Sequence, residues 1–315
     1  MPHNNRRTDI LKGTGIICLI FLLSVHIPLI GFFISLLIPL PVLFFRTKLG
    51  RKNAGTVFLL SVLIIFFSLG RISFDLLYFA GLMLLGFVLA EMFEKKLTVE
   101  HTVLRTAGIV AGAAVISVFF YSSSTGRDLG TVVSEYVALN LKHTLQLYTD
   151  MGMPEDAVQL VSDSLETIHY GLVRILPALT ASALLFLTWS VLLMASPLMR
   201  AGKLPYPDFG PLTLWKVPEV LVWGVVGCGL ALMFPNTVLR ILAFNGLIVL
   251  MTVYFFGGIA IVAFYFEKKQ LPPMLRVFFY SMIALWHMAL LLVIGLGFFD
   301  MWLNFRKLET GGANG

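Results

Sequence analysis

The chain has 315 residues, of which 58% are hydrophobic and 13% charged, with a mean hydropathy of +0.90 and a net charge of +6. A soluble globular chain carries about 25% charged residues, so this composition excludes both a soluble enzyme and a disordered chain. The positive residues lie in short loops between apolar runs and form no patch with interleaved aromatics, which excludes nucleic acid as a partner and leaves the lipid bilayer.

A crossing helix needs about 20 apolar residues. On that measure segments are predicted at 11–27, 29–45, 54–69, 73–92, 103–120, 170–195, 218–234, 241–266 and 277–299. Arg6, Arg7 and Lys12 precede the first run, but no small-residue cleavage site follows, so it reads as an uncleaved span. Pro28 and Gly31 separate the first two segments and Pro39 and Pro41 interrupt the second, either as a discontinuous substrate-binding element or as a packed hairpin. The basic residues alternate in density from loop to loop. With the N-terminus in the cytoplasm, 16 of the 23 fall inside, while Arg71, Arg127, Lys142, Arg174, Arg240, Arg306 and Lys307 fall outside. Nine spans place the basic C-terminal end on the wrong side, so either eight or nine crossings are expected.

The stretch 123–169 is the one substantial segment outside the apolar runs, and its two basic residues are outnumbered by seven acidic ones. Helical spacing recurs from Leu129 to Tyr148, and a second amphipathic helix begins at Pro154-Glu155-Asp156. The expected fold is therefore all-α: a polytopic transmembrane helical bundle with an extracytoplasmic two-helix insert. Three parts follow: a five-span bundle at 1–122, the acidic insert at 123–169, and a four-span bundle at 170–315.

Ionisable groups within spans are costly and count as functional candidates. His26, Arg174, Asn245 and His287 form the candidate substrate-binding set. Each has a structural alternative: an imidazole bonded to a helix carbonyl, an Arg174–Asp75 pair, or an interhelical Asn245 bond. Asp75, Glu91, Glu219, Arg240 and Asp300 lie close to span ends, where snorkelling accounts for them. Gly108 and Gly112, and the cluster Gly224, Gly227 and Gly229, read as packing seams. Cys18 and Cys228 sit within spans and make neither a disulfide framework nor a CxxC site. The six histidines show no HxxxH or HExxH spacing, and there is no P-loop and no GxSxG with partners. No catalytic residue, metal site or cofactor is expected, and the chain is not read as an enzyme.

The run Leu214-Trp215-Lys216-Val217-Pro218-Glu219 with Trp223, then Asn245, then Gly258 to Phe266, resembles the YybS-like family of bacterial membrane proteins. So does the ending Leu296-Gly297-Phe298-Phe299-Asp300-Met301-Trp302 with Asn304-Phe305-Arg306-Lys307. This resemblance implies a fold and no activity. More distantly, the six N-terminal spans with a proline-rich second segment resemble the substrate-binding components of energy-coupling-factor transporters and the rod-shape protein MreD. The chain departs from them in lacking a small-xxx-small alanine motif in its first span and in adding three spans after Arg200. The resemblance implies a multi-pass protein of the bacterial inner membrane, binding or passing a small solute. The alternative it leaves open is a non-transporting organiser of envelope or cell-shape assembly that holds membrane-protein partners.

Overall fold

The computed structural model describes residues 3–27, 30–70 and 73–306; Pro28, Arg71 and Lys307 lie outside the described residues. Among the described residues all regular structure is helical. The chain divides into two compact units, one of residues 1–159 and 183–208 and one of residues 160–182 and 209–315.

The first unit contains α1 (His3–His26), α2 (Ile30–Ser35), α3 (Pro39–Leu69), α4 (Phe74–Glu94), α5 (Val99–Thr125), α6 (Leu129–Asp150) and most of α7 (Glu155–Asp163). It also contains the C-terminal part of α8 (Leu165–Ala201). Side-chain oxygens define several helix starts: Ser73 accepts from the Leu76 amide, Thr98 from His101 and Asp128 from Gly130. The core gathers Ile17 and Phe21 from α1, Ile38 beside Val42, Val57 and Ile65 of α3, and Phe79 and Met83 from α4. Phe21 meets Phe79 edge-on at 4.9 Å. Gly86 lets α4 lie against the backbone carbonyl of Pro39, where a methyl group would overlap the oxygen.

The stretch Ile30–Leu69 is too long for one crossing, and Gly50 (φ +76°, ψ 169°) breaks its helical path. Such a backbone favours glycine. Ser35 and Leu69 line one cavity with Asp75 and Tyr78, while Arg46 and Arg51 both reach Glu91, at 2.6 and 3.5 Å. The chain therefore doubles back at Gly50, with arms 30–49 and 51–69 running antiparallel. Arg46, only 2% exposed, also reaches Glu94 at 2.8 Å, and Lys48 pairs with Asp9 at 2.8 Å. The basic turn is thus tied to the last turn of α4 and to α1. Nearby, Tyr206 donates to the Leu192 carbonyl at 3.1 Å and packs edge-on against Phe93. Burial pushes its hydroxyl up to about 12.

The second unit contains the N-terminal part of α8, a 3-10 turn at Leu212–Leu214, α9 (Leu221–Met233), α10 (Thr237–Lys268), α11 (Pro273–Leu285) and α12 (His287–Leu303). Among the described residues six helical stretches are long and apolar enough to cross a membrane, or seven if the bent pair α11–α12 is one span. The eight or nine expected crossings are not reached by that measure, for two physical reasons. The segments at 29–45 and 54–69 are fused in Ile30–Leu69, and α9 has only 13 helical residues. Its length of about 20 Å falls short of the roughly 30 Å hydrocarbon core. The two helices expected within 123–169 are present as α6 and α7, with Val132 and Val137 of α6 buried.

Candidate functional site

In the second unit the chain approaches α9 without helix. After the 3-10 turn it runs extended through Trp215, and its regular helix begins only at Leu221, beyond Pro218. Proline lacks an amide hydrogen and clashes with the preceding turn, which disfavours helix ahead of Pro218. This irregular stretch runs alongside α10. The Thr213 hydroxyl donates to Glu267 at 3.3 Å, and Val217 packs on Gly257. Gly257 is ten residues before Glu267, about 15 Å along the helix. The 216–219 backbone thus lies against the apolar body of α10, well back from its charged end. Farther on, Gly224 touches Leu250 and Cys228 lies against Gly246, so α9 runs antiparallel to α10. The segment 209–233 is thus an extended stretch followed by a 13-residue apolar helix, packed along α10.

A second discontinuity faces it. α11 and α12 are bent by 101° at Trp286. Both ends of the pair meet the same end of α10. Arg276 donates to the Leu271 and Phe266 carbonyls at 2.8 and 3.4 Å, and Tyr265 donates to the Phe305 carbonyl at 2.8 Å. The pair therefore begins and ends near the same end of α10. α12 lies close on α10: methyl groups at Gly258 or Gly297 would overlap the Val293 and Tyr254 carbonyl oxygens. Arg306 completes the arrangement. Its Nη1 donates to the Thr213 and Trp215 carbonyls at 2.8 Å each, and its Nη2 to Asp300 Oδ2 at 2.7 Å. Asp300 Oδ1 also accepts from the Phe305 amide at 3.0 Å. Arg306, which a count of nine spans would place outside, thus lies beside Thr213 and Trp215.

Between the two discontinuous elements lies a cavity of about 50 Å³, lined by Lys216, Glu219, Tyr254, Asp300 and Asn304 among others. Lys216 Nζ stands 3.5 Å from Asn304 Oδ1. Tyr254 is 2% exposed, and its hydroxyl makes no hydrogen bond among the described residues. A buried polar atom left without a partner costs about 1–3 kcal/mol, so its position on the wall of a charged cavity calls for a functional account. The volume suits water or one small ion, not the organic ligands of cavities of about 300–1,000 Å³.

Of the residues singled out from sequence, Arg174 and Asn245 meet. The Asn245 carboxamide donates to the Arg174 carbonyl at 3.0 Å and accepts from the Ala178 amide at 3.0 Å. Those two groups would pair with each other in an uninterrupted helix, and Pro177 lies between them. Asn245 also donates to the Ile241 carbonyl at 2.8 Å. The Arg174 guanidinium lies over the Tyr170 ring at 3.1 Å and donates to the Tyr170 carbonyl. His26, in the first unit, bonds to the Leu22 carbonyl at 2.8 Å and is exposed. His287 is exposed at the bend between α11 and α12. None of the four lines the cavity. The residues that do line it include Glu219 and Asp300, which snorkelling had explained away. The signal for them was Lys216 and Glu219 flanking Val217-Pro218 at the head of an apolar run. The expected glycine seams are met only in part: Gly224 packs on Leu250, while Gly227 and Gly229 have no such neighbour. Gly108 and Gly112 face open space, whereas Gly31, Gly86, Gly258 and Gly297 make the close helix approaches.

A family model described as "Predicted membrane protein (DUF2232)" matches residues 15–301, and the chain belongs to that family. The chain is similar to the "Uncharacterized protein YybS" of Bacillus subtilis (strain 168), with 23% identity over 270 residues, 82% of this chain and 83% of that protein. No solved structure matches. The more distant likeness to energy-coupling-factor binding components and to MreD is not shown by these matches.

Proposed function

We propose that this membrane protein is a permease-like component for a small solute, working at the seam between the interrupted crossing and the re-entrant pair. The observation that carries this is the irregular backbone of 209–220 packed on a helix long enough to cross, which we read together with α9 as one interrupted crossing, beside a charged cavity. Non-helical backbone is tolerated there only where protein or a polar cavity satisfies it, and discontinuous helices of this kind supply binding groups at the midplane of transporters. In the closed form described here the cavity accepts water or a single small ion, so passage of anything larger requires the α11–α12 pair to move. On this reading the membrane is the bacterial inner membrane, with the N-terminus and the Arg306 end both cytoplasmic. The crossings number eight, counting both arms around Gly50 and segment 209–233, with α11–α12 as an addition that does not cross. No chemistry is assigned to the site, and the protein is not an enzyme.

The test is purification of the full chain in mild detergent from native membranes, with mass spectrometry of retained metabolites and elemental analysis of retained ions. A stoichiometric species held by the wild type and lost from Tyr254→Phe supports the reading. A second reading, the organiser of envelope assembly, draws on one observation: Gly108 and Gly112 of α5 are exposed and unpacked, as a helix prepared for a partner would be. Co-purifying envelope-assembly proteins, with no bound species, would favour it and set the permease reading aside.

A further inference from the structure

The first unit holds a second, larger cavity that the interrupted crossing does not explain. It has a volume of about 470 Å³ and lies at the end of the unit remote from Gly50, where α4 begins and α5 ends. Phe74, Tyr121 and Tyr136 supply its aromatic wall, with ring centroids 5.0 Å apart for Phe74–Tyr121 and 4.6 Å for Phe74–Tyr136. Val132 and Leu139 extend the apolar surface along α6, and Arg127 and Glu135 stand on the lining as one cation and one anion.

Local sequence builds this wall firmly. Gly126, at φ +66°, closes α5, and the Ser122 hydroxyl donates to the Arg127 carbonyl at 2.5 Å. Asp128 then caps α6 by accepting from the Gly130 amide at 2.9 Å. Arg127 is thus pinned between two helix ends, and Glu135 follows two turns into α6. Their side chains meet at 2.6 Å, yet they are 58% and 54% exposed. An ion pair in that setting contributes little to stability, so a ligand that satisfies both charges can open it at small cost.

We infer that this cavity is a binding site for aromatic zwitterions, that is, free amino acids with an aromatic side chain. The carboxylate is taken by Arg127, whose planar donor fork suits it. The ammonium is taken by Glu135, and the ring packs on Phe74 and Tyr136 in the tilted or edge-on geometries that aromatic pairs prefer. The volume lies within the usual range for small organic ligands. A purely anionic or purely cationic ligand would satisfy one member of the Arg127–Glu135 pair and strand the other, so discrimination is built into the pairing. The inference goes beyond the permease reading: it assigns a separate binding site, in the first unit. Its test reads binding alone, so a failure here leaves the interrupted crossing untouched.

The experiment is isothermal titration of the purified full chain in nanodiscs with L-phenylalanine, L-tyrosine and L-tryptophan. The controls are phenethylamine, 3-phenylpropionate and glycine. The expected result is saturable binding of at least one aromatic amino acid, at least tenfold tighter than any control. Arg127→Gln and Glu135→Gln, both at exposed positions, should each weaken it at least tenfold while leaving the thermal unfolding midpoint of the free protein in place. Phe74→Leu should weaken the aromatic ligand without creating glycine binding. Equal binding of phenylpropionate or phenethylamine, unaltered affinity in both charge variants, or no binding of the three amino acids up to 10 mM (roughly the weak end of specific affinity) would overturn the inference.

Discussion

Replacing Asn245 with leucine removes a side chain that binds two helices without leaving a void, and its cost follows from the bonds lost. Three are broken: to the Arg174 carbonyl at 3.0 Å, from the Ala178 amide at 3.0 Å, and to the Ile241 carbonyl at 2.8 Å. Interhelical hydrogen bonds within membranes average about 0.6 kcal/mol and reach about 1.7. Buried groups left unpaired cost about 1–3 kcal/mol each. The Ile241 carbonyl retains its place in α10, so the Arg174 and Ala178 groups dominate and the expected loss is about 2–3 kcal/mol. The assay is reversible unfolding in mixed detergent micelles, followed by circular dichroism. Adding Pro177→Ala should return part of the loss, because α8 can then close its own Ala178-to-Arg174 bond. A loss below about 0.5 kcal/mol, the level expected of an ordinary surface substitution, would mean that α8 already closes that bond unaided, and the bridging role argued for Asn245 would be wrong.

Further outcomes follow from the same physics. Gly297→Ala should cost about 1–3 kcal/mol by forcing α12 off α10, whereas Gly108→Ala, which meets open space, should change stability by less than about 0.5 kcal/mol; the same unfolding assay separates them. Arg306→Met strands Asp300, which is 6% exposed, and should cost about 3–5 kcal/mol. Faster limited proteolysis within 209–220 is expected alongside it, and partial recovery when Asp300→Asn is added. Tyr206 has its hydroxyl raised to about 12 by burial, above the ordinary value of about 10. Its contribution is therefore complete below pH 10 and lost as pH rises towards 12. Unfolding followed from pH 8 to 12 should show that decline, and Tyr206→Phe should abolish it.

The helical class was legible because apolar run length reports directly on membrane crossing, and the amphipathic spacing from Leu129 to Tyr148 located α6. The runs at 29–45 and 54–69 were separable because Arg46, Lys48, Arg51 and Lys52 lie between them, and the chain turns there at Gly50. Span counting is less direct where run length and backbone path part company. At Lys216-Val217-Pro218-Glu219 the sequence offers both a proline and charges, but charges near a run's end are ordinarily interfacial. Only the packing of Val217 on Gly257 shows that they lie against the body of α10. Asn245 was visible as a polar residue in an apolar run, and its partners became definable once Pro177 was seen to splay α8. The Asp300–Arg306 pair was hidden for another reason: two charges six residues apart meet only because Asn304, at φ +39°, turns the chain back.

The Arg306 clamp also sets an order on biosynthesis. The Thr213 carbonyl waits for a donor 93 residues downstream. At ribosomal speeds of about 5–20 residues per second that is an interval of roughly 5–20 s. During it the 209–220 segment enters the bilayer with the Thr213 and Trp215 carbonyls still lacking the guanidinium that later secures them. A ribosome stalled short of Arg306 would leave behind a chain whose 209–220 segment lacks the contact that fastens it to the C-terminal end.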